Sequence, residues 1–176
     1  MKKLKFLALG LAGLMAFASC GKDDENEVAF CSSDAEVTSS TIVMGGAKSA
    51  NGSFYTFDNG VQTKIQLGDV ATNVVFCFQT LDEAFQFISG TEATNEIVKA
   101  QASETKFAMI GDATVAKASK LNESDFTATK MEINKKLENG KKAVAFLNAN
   151  CKGFFEIMDY DADAEDLTIK MYVLKK

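Results

Sequence analysis

The reactive groups of this 176-residue chain are thiols, carboxylates and amines: four cysteines, 24 acids and 19 lysines, with no His, Arg, Trp or Pro. Those absences exclude several chemistries. Without His there is no Ser-His or Cys-His nucleophilic pair of the usual kind, and the commonest zinc ligand is missing. Without Arg no bidentate fork can grip a carboxylate or phosphate, because lysine offers only a point charge. Without Trp the strongest aromatic platform for cations is absent, leaving Tyr55, Tyr160 and Tyr172. Paired carboxylates or a Ser-Lys dyad would still be competent, yet no such pair stands at a recognisable spacing.

The run Asp159-Tyr160-Asp161-Ala162-Asp163-Ala164-Glu165-Asp166 sets acids at alternate positions, as hard-oxygen ligation of calcium requires. It departs from an EF-hand loop twice, with Ala164 in place of the turn glycine and Lys170 in place of the closing glutamate. A solvated acidic hairpin is the expected reading, and neither a metal nor a cofactor is expected. In GGAKSANGS, residues 45–53, Lys48-Ser49 matches the end of a P-loop, but Ala47 stands where its second glycine belongs and the first is missing too. A flexible connection between strands is expected there. Cys77 lies in the apolar run Val74-Val75-Phe76-Cys77-Phe78 and reads as a buried small hydrophobe. Cys31 and Cys151 sit beside polar turn residues, so a single disulfide, if one forms, joins those two. Met109, Met158 and Met171 fall in expected strands, where core filling is the default role of methionine.

The N-terminus carries an address. MKKLK precedes a 13-residue apolar run, Phe6 to Ala18, too short to span a bilayer, and the run ends at the small pair Ala18-Ser19 before Cys20. Phe17-Ala18-Ser19-Cys20 resembles the bacterial lipobox, with Phe17 where that pattern has an aliphatic residue. The resemblance implies removal of residues 1–19 and acylation of Cys20, which would anchor the chain to a membrane. Lys22-Asp23-Asp24, following Gly21, is similar to the lipoprotein export signal of Bacteroidota, which implies delivery to the outer leaflet of the outer membrane. Residues 20–27 also have the composition of a solvated tether.

Residues 1–19 hold three lysines and no acid, so residues 20–176 carry a formal charge of −8 rather than −5. With no basic cluster longer than Lys135-Lys136 or Lys141-Lys142, nucleic acid is not an expected partner.

Residues 28–176 are long enough for one domain with a real core. Ser53-Phe54-Tyr55-Thr56-Phe57, Asp58-Asn59-Gly60 and Val61 to Leu67 read as a hairpin about an Asn-Gly turn, with Val61, Thr63, Ile65 and Leu67 on one face. Val74 to Phe78 reads as a strand covered on both faces. Thr80-Leu81-Asp82-Glu83 fits a capping box, and Leu81, Ala84, Phe85 and Ile88 follow at helical spacing, so a short helix ending at Gly90 is expected. A second brief helix is expected at Asn122 to Phe126, and a strand from Thr105. AVAFLNA, GFFEIMDY and LTIKMYVL form three strands of an antiparallel meander, the last alternating Leu167, Ile169, Met171 and Val173 with polar neighbours. The fold class expected is mainly β: an antiparallel β-sandwich or partly open barrel with one or two short helices.

With its lipobox, acidic tether, GSFYTFDNG hairpin and closing FFEIMDYDADAEDLTIKMYV, the chain resembles small β-rich surface lipoproteins of Bacteroidota. The hairpin and closing strands are also distantly similar to HmuY-like haem-carrying lipoproteins, which grip iron with His or, in some members, Met. The resemblance implies a non-enzymatic binding or structural module at the cell surface, meeting a protein, glycan or small molecule. A haem or nutrient carrier using methionine ligands is the alternative, and a carboxylate-based hydrolase the third reading.

Overall fold

The computed structural model describes residues 27–58, 61–65, 73–136 and 143–175. The signal segment 1–19, Cys20, Lys22-Asp23-Asp24 and the Asn59-Gly60 dipeptide lie outside them. The described chain is a β-sandwich of two antiparallel five-stranded sheets. Its strands are β1 (Val37–Gly45), β2 (Phe54–Asp58), β3 (Val61–Ile65), β4 (Val74–Thr80), β5 (Ala84–Ser89), β6 (Thr105–Met109), β7 (Lys130–Asn134), β8 (Ala143–Asn148), β9 (Lys152–Asp161) and β10 (Asp166–Leu174). The first sheet runs β1-β10-β9-β8-β6 and the second β3-β2-β4-β5-β7. The closing meander expected from sequence is therefore β8-β9-β10, and the early hairpin pairs β2 with β3 from Asp58↔Val61 to Phe54↔Ile65.

Period-two burial places the core. In β10 Leu167, Ile169, Met171 and Val173 are buried between the sheets, while Thr168, Lys170 and Tyr172 are half-exposed on the outer side. All of Val74 to Phe78 is buried, as a strand covered on both faces must be. Phe76 lies at the middle of the inter-sheet cluster. Its ring meets Tyr55, Phe87, Phe107, Phe146 and Phe155 at centroid separations of 4.9 to 6.0 Å, the offset and edge-on range that aromatic quadrupoles favour. A bulge where Tyr55 faces Phe76 and Thr56 faces Val74 leaves Val75 unpaired and lets it join the same cluster.

Each sheet has a second apolar layer on its outer side. Over the first sheet, Phe30, Phe126 and Ala118 of helix α2 (Val115–Ala118) cover Ala108, Ala145 and Phe154. Over the second, Ala93 and Val98 of helix α1 (Glu96–Ala100) cover Phe54, Val74 and Cys77. Asn95 caps α1, its side-chain oxygen accepting from Ile97 N–H at 2.9 Å and Val98 N–H at 3.2 Å.

Two expectations are corrected. Residues 81–89 are not a helix: Asp82-Glu83 form a tight turn, Leu81 N–H donates to Ala84 C=O at 2.9 Å, and β5 pairs with both β4 and β7. A helix would set Phe85 and Phe87 on nearly opposite sides and leave one ring in water, whereas a strand buries both completely. Met109 and Met158 do not fill the core. Met158 is the extra residue of a β-bulge between Thr168↔Asp159 and Ile169↔Ile157 and is exposed, as is Met109 at the end of β6; Met171 is buried. The brief helix expected at residues 122–126 is a 3₁₀ turn, Glu123–Asp125, closed by Asn122 N–H on Asp125 Oδ2 at 2.8 Å.

Among the described residues the Tyr55 hydroxyl, buried in the core, has no hydrogen-bond partner. Burial, and then the neighbouring Cys151 thiol, push its ionisation far above the ordinary tyrosine range. Phe76→Ala is expected to cost about 3–5 kcal/mol in denaturant unfolding. Tyr55→Phe, which removes the orphan oxygen and keeps the ring, is expected to stabilise by about 1 kcal/mol. Destabilisation by Tyr55→Phe would show that the hydroxyl has a partner.

Candidate functional site

Among the described residues, beside the outer layer on the second sheet lies a groove of about 760 Å³. Phe54 and Cys77, on the outer face of β2 and β4, make its floor; the loop from Gly46 to Ser53 makes one wall and Ala93-Thr94-Asn95 the other, with Gln79 and Thr80 along the continuing β4. The fourteen lining residues include no charged side chain, in a chain whose residues are 24% charged. The polar lining consists of hydroxyls and amides: Ser49, Asn51, Ser53, Gln79, Thr80, Thr94 and Asn95. Such groups both donate and accept, so they suit an uncharged ligand.

The first wall is GGAKSANGS, and it is held rather than loose. Lys48 N–H donates to Glu165 Oε2 at 3.1 Å, and Lys48 Nζ lies 3.1 Å from Glu165 Oε1. Gly46 N–H donates to the Glu165 carbonyl at 2.8 Å, and the Thr80 hydroxyl reaches Oε2 at 3.4 Å. Asp166 takes the Ser49 hydroxyl on one oxygen and Asn51 Nδ2 at 2.9 Å on the other. The loop closes on its own strand through Gly45 N–H to Gly52 C=O at 3.1 Å and the Ser53 hydroxyl to Gly45 C=O at 2.8 Å. Glycine is required at Gly45, where a Cβ would stand 2.3 Å from Asn51 C=O, and a Cβ on Gly46 would press on Glu165 Oε2 at 2.8 Å. The expected flexible connection is thus corrected by a clamp from the β9–β10 turn, some 115 residues away in sequence.

The same clamp accounts for the acidic run. Asp161 accepts from the backbone N–H groups of Asp163 and Ala164 at 2.9 and 3.0 Å, shaping the turn, while Glu165 and Asp166 face the loop. Glu165 sits at φ 55°, a left-handed conformation unfavourable for a residue with a side chain, at the point where its carbonyl and its carboxylate both meet the loop. Its carboxyl is held below the ordinary value of 4.5, first by the Lys48 N–H and then by the Lys48 amine. Lys48 and Ser49, the P-loop-like pair, are spent on these two acids. Among the described residues no group of three or more Cys, Asp or Glu is placed to hold a metal ion, and no methionine lines the groove.

Among the described residues no disulfide joins Cys31, Cys77 or Cys151 in this structure. Cys31 packs in the outer layer of the first sheet beside Phe30 and near Lys152, whereas Cys151 turns to the opposite side, into the inter-sheet core. Cys77, in the groove floor, has its thiol pushed up by burial to about 12 from an ordinary 9.0. Sequence reasoning places Cys77 in a buried strand but misses the groove, because neither wall belongs to the strand that forms the floor.

Compared with family models, curated proteins and solved structures, the chain finds no match.

Two outcomes test this geometry. Glu165→Gln is expected to speed hydrogen exchange at the Gly46 and Lys48 amides. In the unchanged chain the same loosening should set in as pH falls below 4.5 through the lowered Glu165 pKa, because the clamp is fully charged only above it. Unchanged exchange would mean that Asp166 alone holds the loop. For Cys77, whose folded pKa is raised, the stabilising contribution is complete below pH 9.0 and is lost between there and about 12, as the unfolded thiol ionises first. Thiol labelling at pH 8 should spare Cys77 in the folded protein and reach Cys31, Cys77 and Cys151 after unfolding.

Proposed function

We propose that the protein is a lipid-anchored, non-enzymatic binding module of the outer membrane, held through Cys20 and facing the medium, whose ligand is a neutral molecule rich in hydroxyl or amide groups, such as a glycan. The observation that carries this reading is the groove. Its volume of about 760 Å³ falls within the range of roughly 300–1,000 Å³ common for small-molecule sites. Its polar groups are uncharged throughout, so an ionic ligand would be desolvated there without a counter-charge on the lining, while sugar hydroxyls or peptide amides would meet donors and acceptors alike. The clamp on the Gly46–Ser53 wall favours recognition over catalysis: a wall held in place loses little entropy when a ligand docks, and its nearest carboxylates, Glu165 and Asp166, are already engaged.

Support for the address comes from residues 17–27, in which Ala18-Ser19-Cys20 marks the cut and acylation point and Lys22-Asp23-Asp24 the outward delivery. Residues 27–31 join the folded domain directly: Ala29 bridges to Asn122, and Phe30 is fully buried. The lipid would therefore be separated from the sandwich by a tether of only a few residues.

Calorimetric titration against neutral oligosaccharides and charged counterparts tests the ligand class. Neutral sugars are expected to bind, and Thr94→Trp, which fills the groove from an exposed position, to weaken binding by at least about tenfold, or 1.4 kcal/mol, without changing the melting temperature. Binding confined to charged ligands, or unaffected by Thr94→Trp, would overturn it. Protease treatment of intact cells should remove the protein, and Cys20→Ala should release it from membranes. Survival on intact cells with loss after lysis would count against surface display.

A further inference from the structure

The backbone phase of β1 leaves one of its sides open. Lys175 N–H donates to Glu36 C=O at 3.0 Å, which makes Val37↔Leu174 a non-hydrogen-bonded pair. Thr38, Ser40, Ile42 and Met44 therefore direct their backbone groups to β10, and Val37, Ser39, Thr41, Val43 and Gly45 direct theirs outward. Gly45 is satisfied within the chain by Gly52 and Ser53. For Val37, Ser39, Thr41 and Val43 there is no strand on that side among the described residues, and β1 ends the sheet. Four N–H and four C=O groups thus line an edge.

Natural sheets shield such edges with charge, proline, bulges or covering segments. The opposite edge of the sheet is shielded in that way: Phe107 N–H of β6 donates to Ala128 C=O at 2.8 Å, and Phe107 and Ala128 form a bridge. At the edge of the second sheet, β7 exposes Lys130 and Glu132. Among the described residues β1 has none of these devices. It pairs with β10 over nine residues without a bulge, and it carries no charge and no proline. Thr38, Ser39 and Thr41 are exposed, and Ser40, Ile42 and Val43 are half-buried.

The segment Val37-Thr38-Ser39-Ser40-Thr41-Ile42-Val43 reads nearly the same in both directions. We propose that β1 is a self-recognition edge, at which two copies of this chain pair antiparallel about a two-fold axis at Ser40. In that register Val37 faces Val43 of the second copy and Ser39 faces Thr41, with the reciprocal pairs generated by the axis. These are the four residues whose backbone groups point outward, so one register satisfies all eight groups at once. β-Branched Val meets Val and hydroxyl meets hydroxyl, which are favourable cross-strand pairs. Glu36 faces Met44, so no like charges oppose one another. The two five-stranded sheets merge into one of ten strands. A second copy fits this edge better than an unrelated peptide because the match is with the edge's own sequence, and an isologous contact closes after two subunits.

The register makes a sharp test, because only residue 40 meets itself. Ser40 would form a non-hydrogen-bonded pair with its mate at a Cα separation of about 4.5 Å, within the span a disulfide bridges. Ser40→Cys and Thr38→Cys are introduced separately into the full-length chain, cells are oxidised, and dimers are read on non-reducing gels against the unmodified protein. Ser40→Cys is expected to give a disulfide-linked homodimer and Thr38→Cys, which faces Ile42 of the second copy, only background. Thr41→Pro removes an outward N–H that the fold does not use, and the Ser39→Lys, Thr41→Lys pair sets ammonium groups opposite each other across the axis. Each, combined with Ser40→Cys, is expected to abolish the cross-link while the detergent-solubilised protein keeps its melting temperature, so a folding failure in one leaves the other decisive. Equal cross-linking at residues 38 and 40, a homodimer that persists in the folded lysine variant, or a cross-link to a different protein would each overturn the proposal.

Discussion

Burial of one ring, Phe76, sets conditions that most of the described chain has to meet. Its aromatic neighbours come from β2, β5, β6, β8 and β9, hence from both sheets and from positions a hundred residues apart. Each ring pair contributes about 0.5–1.5 kcal/mol beyond the area it buries, but the greater effect is on geometry. The ring is enclosed only when both sheets are present and face each other, so assembly of the core is non-local and cooperative. The two-residue period of β4 carries the constraint one position further: with Phe76 inward, Cys77 must face the other way, and it becomes the floor of the groove.

The groove itself depends on a second long-range tie. A loop rich in glycine and small residues has much entropy to lose, yet Gly45 to Ser53 is ordered by two acids from a turn that sequence places far away. The charges are consumed in doing so. Lys48 and Glu165 neutralise each other at the outer side of the wall, and the surface presented to a ligand is left with hydroxyls, amides and apolar carbon.

The elements legible in sequence are those with a local period. The alternation in β10, the unbroken apolar run of β4 and the spacing of β8 and β9 each define a strand without reference to a partner. Residues 81–88 mislead because Leu81, Ala84, Phe85 and Ile88 satisfy a helical stripe while Phe85 and Phe87 satisfy a strand, and only the pairing with β4 and β7 decides between them. The candidate site is much less legible. Glu165 and Asp166 read as members of a solvated acidic run, since no local pattern announces that a carboxylate will meet Lys48 or Ser49. Cys31 and Cys151 carry turn-like flanks, which say nothing about the side of the sheet each thiol faces.

The first and last strands are neighbours in register, and this gives the molecule a direction. Val37 pairs with Leu174 at one end of the first sheet, and Gly45 pairs with Asp166 at the other. The N-terminal segment enters at the first end, where Lys152 at the start of β9 reaches Glu123 and lies over the Phe30 ring. The clamped loop lies at the second. Between them β9 runs ten residues, a distance of about 30 Å. For a chain anchored through Cys20, as proposed above, that length would be a stand-off height, setting the clamped loop about 30 Å from the end at which residues 27–31 enter the fold.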